Sequence, residues 1–168
     1  MSTATQTTSL LRAIIKDYNY WPQSESDSPL KIGTRKGALT DTKLFALDAS
    51  YRRQDNEDNP DYQLPDRQIV VKTVDQTFNQ IIDNAISNLT AAKTNYDNDP
   101  TTLNSLEMAA ESVEFGVQLY SVFQGLANSA IREISAPNEA TKTLIISGEI
   151  GEGEELRSVY ATSTLVHT

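Results

Sequence analysis

The sequence has no cysteine, one histidine and one tryptophan. Without thiols there is no disulfide framework, no cysteine nucleophile, no zinc finger and no iron–sulfur ligation. Bases are also scarce, with 14 Lys and Arg facing 23 Asp and Glu for a net charge of −9. That surplus repels nucleic-acid phosphates and anionic membrane surfaces, so neither is expected as a direct partner. Long apolar runs are missing too, and nothing approaches the roughly 20 residues of a membrane-spanning helix. Residues 1–8 are polar and uncharged, and Arg12 and Lys16 interrupt the apolar patch that follows. No secretory leader is read there, and a cytoplasmic protein is expected. The 168 residues suit one domain, 1–168, able to bury its own core.

What is present is mostly periodic. Leu10, Leu11, Ile14 and Ile15 recur at helical spacing, which predicts a helix over 9–20 capped by Ser9 and closed by Trp21-Pro22. Short strands are expected at 30–32 and 43–47, and 48–66 reads as an acidic loop. Residues 68–73 are β-branched enough for a strand. From Val74 the period becomes that of an amphipathic helix running to about Lys93, with Thr73 and Gln76 as a capping box. A linker over 95–100 then places Asp99 as cap and Pro100 in the first helical slot. A second helix is predicted over 101–134, with Gly116 and Gly125 as points of kink or close contact. Residues 143–147 and 157–166 read as a closing hairpin around the turn 148–153. The expected fold class is α+β, with helices packed on a small, mainly antiparallel sheet.

Candidate chemistry is thin. His167 sits next to last in the sequence, where an oriented pocket is seldom available, so it reads as a strand end rather than a base. The run Gly148-x-x-Gly151-x-Gly153 carries Glu149, Glu152, Glu154 and Glu155, and those carboxylates oppose a phosphate. Asp55, Glu57, Asn59, Asp61 and Asp66 have the spacing of a calcium loop, but Pro60 stands where glycine is needed. A weak, strained site is the most this run offers against a plain solvated loop. Lys31, Arg35 and Lys36 read as a surface turn. No catalytic residue and no cofactor are expected. Acidity concentrates late, since residues 67–168 hold thirteen of the 23 acids and only six of the 14 bases.

Two patches carry a resemblance. Asn19-Tyr-Trp-Pro-Gln-Ser-Glu-Ser-Asp-Ser-Pro-Leu30 resembles the helix-exit segment of the nuclease A inhibitor family. The stretch Ile145-Ile-Ser-Gly-Glu149, a turn, and Ser158 to Thr168 is similar to that family's closing hairpin, which also ends on threonine. Ile69 to Phe78 is a fainter match between them. The resemblance implies an α-β-α sandwich that blocks sugar-non-specific DNA/RNA nucleases of the ββα-metal type in cyanobacteria. It implies that Glu25, flanked by Ser24, Ser26 and Asp27, pairs with an arginine of the nuclease. It further implies that Thr168 reaches the partner's Mg²⁺, and hard oxygen ligands suit that ion. Where the family's interface loop carries glutamine and tryptophan before its main helix, this chain offers Tyr96.

The expected function is therefore stoichiometric inhibition of a metal-dependent nuclease, with an acidic plug in a basic cleft. Two other readings stand beside it. One is a helical interaction or assembly protein using a face of the 101–134 helix. The other is an acidic nucleic-acid mimic that antagonises a DNA-binding or defence protein.

Overall fold

A computed structural model describes residues 3–24 and 28–166. The chain forms α1 (Ala4–Ile14), β1 (Lys31–Lys36), α2 (Asp41–Asp55), β2 (Gln68–Lys72), α3 (Val74–Asn98), α4 (Leu103–Gln124), β3 (Ala127–Ser135), β4 (Thr141–Ile150) and β5 (Arg157–Val166). The five strands make one sheet in the order β1-β5-β4-β3-β2, with every neighbouring pair antiparallel. The fold is α+β, as expected.

Helices cover both faces, because strand residues alternate between two apolar clusters. On one face Ile131, Leu144, Ile146, Val159, Ala161 and Leu165 pack with Leu11 of α1, Phe78 and Ile81 of α3, and Phe115, Leu119 and Phe123 of α4. On the other, Ile134, Ile145 and Tyr160 pack with Leu44 and Leu47 of α2. Each fully buried Leu, Ile or Phe contributes about 1.5–3 kcal/mol. The two clusters make an α-β-α sandwich.

Several elements depart from the sequence expectation, each for a local reason. The first helix begins at Ala4, not Ser9. The Thr3 hydroxyl accepts from the Gln6 amide at 3.1 Å and the Gln6 side chain accepts from the Thr3 amide at 2.8 Å, a complete capping box. Its buried stripe is Thr7, Thr8 and Leu11, so an apolar count understates it.

Residues 43–47 are helical, not a strand, and the expected 48–66 loop begins only after Asp55. The stripe of α2 passes through Asp48 and Arg52, both buried, and a charged stripe conceals the helical period. Residues 95–98 of the predicted 95–100 linker belong to α3, where Lys93 and Asp97 pair one turn apart at 2.7 Å. The predicted helix over 101–134 stops at Gln124. Gly125 caps it, Asn128 turns with a positive φ of 50°, and 127–135 becomes the strand between β4 and β2. Gly148 lies inside β4 rather than in the turn. A Cβ there would meet the Leu126 side chain at 2.4 Å, so the crossing of chain over strand requires glycine.

The strand at 68–72, the Thr73 cap of α3, the Asp99–Pro100 start and the β4–β5 hairpin agree with expectation. Gly116 marks a close contact, with its missing Cβ 3.3 Å from Ile82 of α3.

Candidate functional site

The two patches singled out in the sequence meet at one end of the sheet. After α1 the chain makes a loop whose neck is closed by the Leu30 amide donating to the Asn19 carbonyl at 2.7 Å and by a bridge between Tyr20 and Pro29. Trp21 anchors the loop from inside. It is buried and stands edge-on to Phe78, with ring centroids 5.7 Å apart. Trp21 is therefore part of the core and not an exposed contact residue.

Beyond Trp21 the loop is fastened to β5 at two points. The Val166 amide donates to the Ser24 hydroxyl at 3.1 Å, and the Ser163 hydroxyl donates to the Ser28 carbonyl at 2.9 Å. Glu25, Ser26, Asp27, His167 and Thr168 lie outside the described residues. The positions that flank them, Ser24, Ser28 and Val166, are brought together. Tyr96 is not part of this cluster. It is half-buried on the outer turns of α3, about 12 Å further along the axis than Asn88, which lines a cleft with Pro22 and Gln23.

Against the base of the loop lies a polar cleft lined by Ser28, Pro29, Lys31, Tyr51, Asp55 and Thr162–Thr164. The Tyr51 hydroxyl and Thr162 Oγ1 are 3.1 Å apart, and the Lys31 ammonium lies 5.7 Å from the Tyr51 ring centroid. Asp55 ends α2 instead of opening a metal loop. Among the described residues, no group of three or more His, Asp or Glu could hold a metal ion. Lys31, Arg35 and Lys36 belong to edge strand β1 rather than to a turn, and charge on an edge strand discourages pairing with another sheet.

Sequence reasoning missed a buried charge network between α2, the segment before β2 and the β3–β4 turn. Asp48 is fully buried and accepts from Arg52 Nε at 3.0 Å and from an Arg67 guanidinium nitrogen at 2.8 Å. Arg52 also pairs with Glu139 and donates to the Ile134 carbonyl at 3.0 Å. Arg67 donates to the Phe45 carbonyl at 3.0 Å and lies over the Phe45 ring. The Tyr62 hydroxyl donates to Glu139 at 3.2 Å, and burial first and the Glu139 charge second hold its pKa above the ordinary tyrosine value. Arginine neither accepts a hydrogen bond nor gives up a proton in proteins, so this network fastens loops rather than moving protons. Its only sequence signal is the i, i+4 pair Asp48–Arg52, which reads equally well as a surface pair.

Fold and site together define a three-layer α-β-α domain in which Ser24 and Ser28 fasten the segment after α1 to β5. No family model, curated protein or solved structure matches the chain. Among the described residues no helix is long and apolar enough to cross a membrane.

Proposed function

We propose that the protein is a stoichiometric inhibitor of a metal-dependent DNA/RNA endonuclease, acting in the cytoplasm. The observation that supports this reading is the hydrogen bond joining Ser24, which precedes Glu25 in sequence, to Val166, two residues before Thr168. A basic cleft shaped for a phosphodiester then receives two acidic groups at once. Glu25 pairs with an arginine by a charge-assisted bond, a kind that is strong when desolvated. Thr168 offers hydroxyl and carboxylate oxygens to the nuclease's Mg²⁺. Inhibition is occupancy of the scissile-phosphate site, with no turnover.

The test is titration of a ββα-metal nuclease with the natural chain, with Glu25→Ala and with a chain lacking Thr168. Loss of potency in both variants, with unchanged melting temperature, is expected. Equal potency of all three overturns the mechanism.

A second reading, an interaction or assembly protein, is favoured by apolar side chains left open on α4: Leu103, Met108 and Val117. Stable self-association in sedimentation experiments would support it.

A further inference from the structure

The sheet has two outer strands, β1 and β2, each paired on one side only, and their open edges differ in chemistry. An edge strand offers a row of backbone N–H and C=O groups to any second strand, and charged side chains are a usual guard against that. β1 carries the guard in Lys31, Arg35 and Lys36. β2 reads Gln68-Ile-Val-Val-Lys72, with its one charge at the last position. Val70 is 44% exposed and Val71 63%. Among the described residues, no backbone hydrogen bond ties β2 to any element but β3. The two valines point to opposite faces. Val70 stands opposite Glu133, on the side of α3 and α4, and Val71 opposite Arg132, on the side of α2.

The strand that fits this edge is its own copy. Laid antiparallel on itself about a two-fold axis at Val70, β2 sets Val70 against Val70, Ile69 against Val71 and Gln68 against Lys72. Every facing pair is then apolar with apolar or amide with ammonium, and no like charges meet. The same operation on β1 sets Lys31 against Lys36, and like charges directly opposite are destabilising. The helices leave room for the join. Phe78 and Ile81 of α3 pack in one cluster with Ile131 of β3. In the joined sheet the two copies of β3 stand three strand spacings apart, about 14 Å. Packed helices sit about 8–10 Å apart, so the two α3 helices clear each other.

We propose that β2 is a homodimer interface, where two chains join edge to edge about a two-fold axis at Val70 and form one continuous antiparallel sheet. The pairing covers both β2 edges and buries Val70 and Val71 against their counterparts. It leaves only the charged β1 edges outside, so assembly stops at two. The inference does not rest on the inhibitor reading and uses none of the residues assigned to nuclease binding.

The experiment is sedimentation equilibrium of the full chain over a range of concentrations, with amide hydrogen exchange read at the same concentrations. The natural chain is expected to move from 18.6 kDa toward twice that mass, and β2 amides to gain protection as it does. Val70→Lys and Val70→Glu each place two like charges at the axis and should raise the dimer dissociation constant about tenfold or more. Mixing the two variants sets Lys against Glu and should restore the dimer, a rescue that requires the contact to lie at that axis. Met108→Lys, on the exposed side of α4, should dimerise as the natural chain does. A natural chain that keeps the monomer mass, with exchange independent of concentration, overturns the proposal without any variant having to fold. A dimer indifferent to both Val70 substitutions, or one lost in Met108→Lys alone, overturns it as well. Val70 variants that stay monomeric when mixed overturn the two-fold register.

Discussion

The Ser24 hydroxyl accepts a hydrogen bond from the Val166 amide at 3.1 Å, joining residues 142 positions apart in the chain. It fixes one limb of the acidic loop to the strand that leads to Thr168. Ser24→Ala removes the acceptor, and a typical hydrogen bond contributes about 0.5–1.5 kcal/mol. The expected outcome is a stability loss in that range by urea denaturation, together with weaker inhibition than the stability loss alone explains. Unchanged inhibition would mean that the loop's placement does not depend on this bond.

Asp48 sits between Arg52 and Arg67 with no exposure to solvent. Asp48→Ala leaves two guanidinium groups facing an empty space, and breaking a buried pair in this way costs about 3–5 kcal/mol. Equilibrium unfolding should show a loss of that size. Replacing Arg52 as well, with methionine, should recover part of it, because one of the two stranded charges is then gone.

Two tyrosines report at alkaline pH. Burial and Glu139 raise the pKa of Tyr62, and a hydrogen bond to Asp75 at 2.8 Å raises that of Tyr120, both above the ordinary value of 10.0. A group whose pKa is higher folded than unfolded lends its full stabilisation below the unfolded value. That contribution drains away as pH climbs from about 10 through the folded pKa. Tyr62→Phe and Tyr120→Phe should each flatten the alkaline limb of a stability–pH curve measured by denaturant melts. A limb of the same steepness in both variants would contradict this assignment.

Gly148 and Leu126 form a complementary pair, since a Cβ on one would overlap the side chain of the other. Gly148→Ala should destabilise by about 1–3 kcal/mol, the usual range for overpacking. Adding Leu126→Gly, which removes the Cβ lying 2.4 Å from the new methyl, should relieve the clash. The double variant is then less unstable than the two single losses added together, and a double-mutant cycle of melting curves reads the difference directly.

Legibility in the sequence followed the chemistry of each buried stripe. The β4–β5 hairpin, β2 and the start of α3 were readable because their cores are aliphatic and their ends carry a turn, a cap or a proline. Helix α2 was not, because Asp48 and Arg52 occupy its inward face and only tertiary partners make that burial affordable. Strand β3 was hidden by continuity. Ala127 and Ile131 prolong the period of α4, and only pairing with β4 distributes Ile131 and Ile134 to opposite faces. At the candidate site, the loop and the closing strand were each visible, but their meeting through Ser24 and Ser28 was not. Hydrogen bonds spanning more than a hundred residues leave no spacing to read.

The reversal between α3 and α4 has a practical corollary. Pro100–Thr102 contains no buried residue, and the turns on either side bury nothing against the sheet. Extra sequence spliced in there, such as a fluorophore tag, should leave folding intact while standing clear of the sheet. Proximity quenching from that position could then time the arrival of a binding partner.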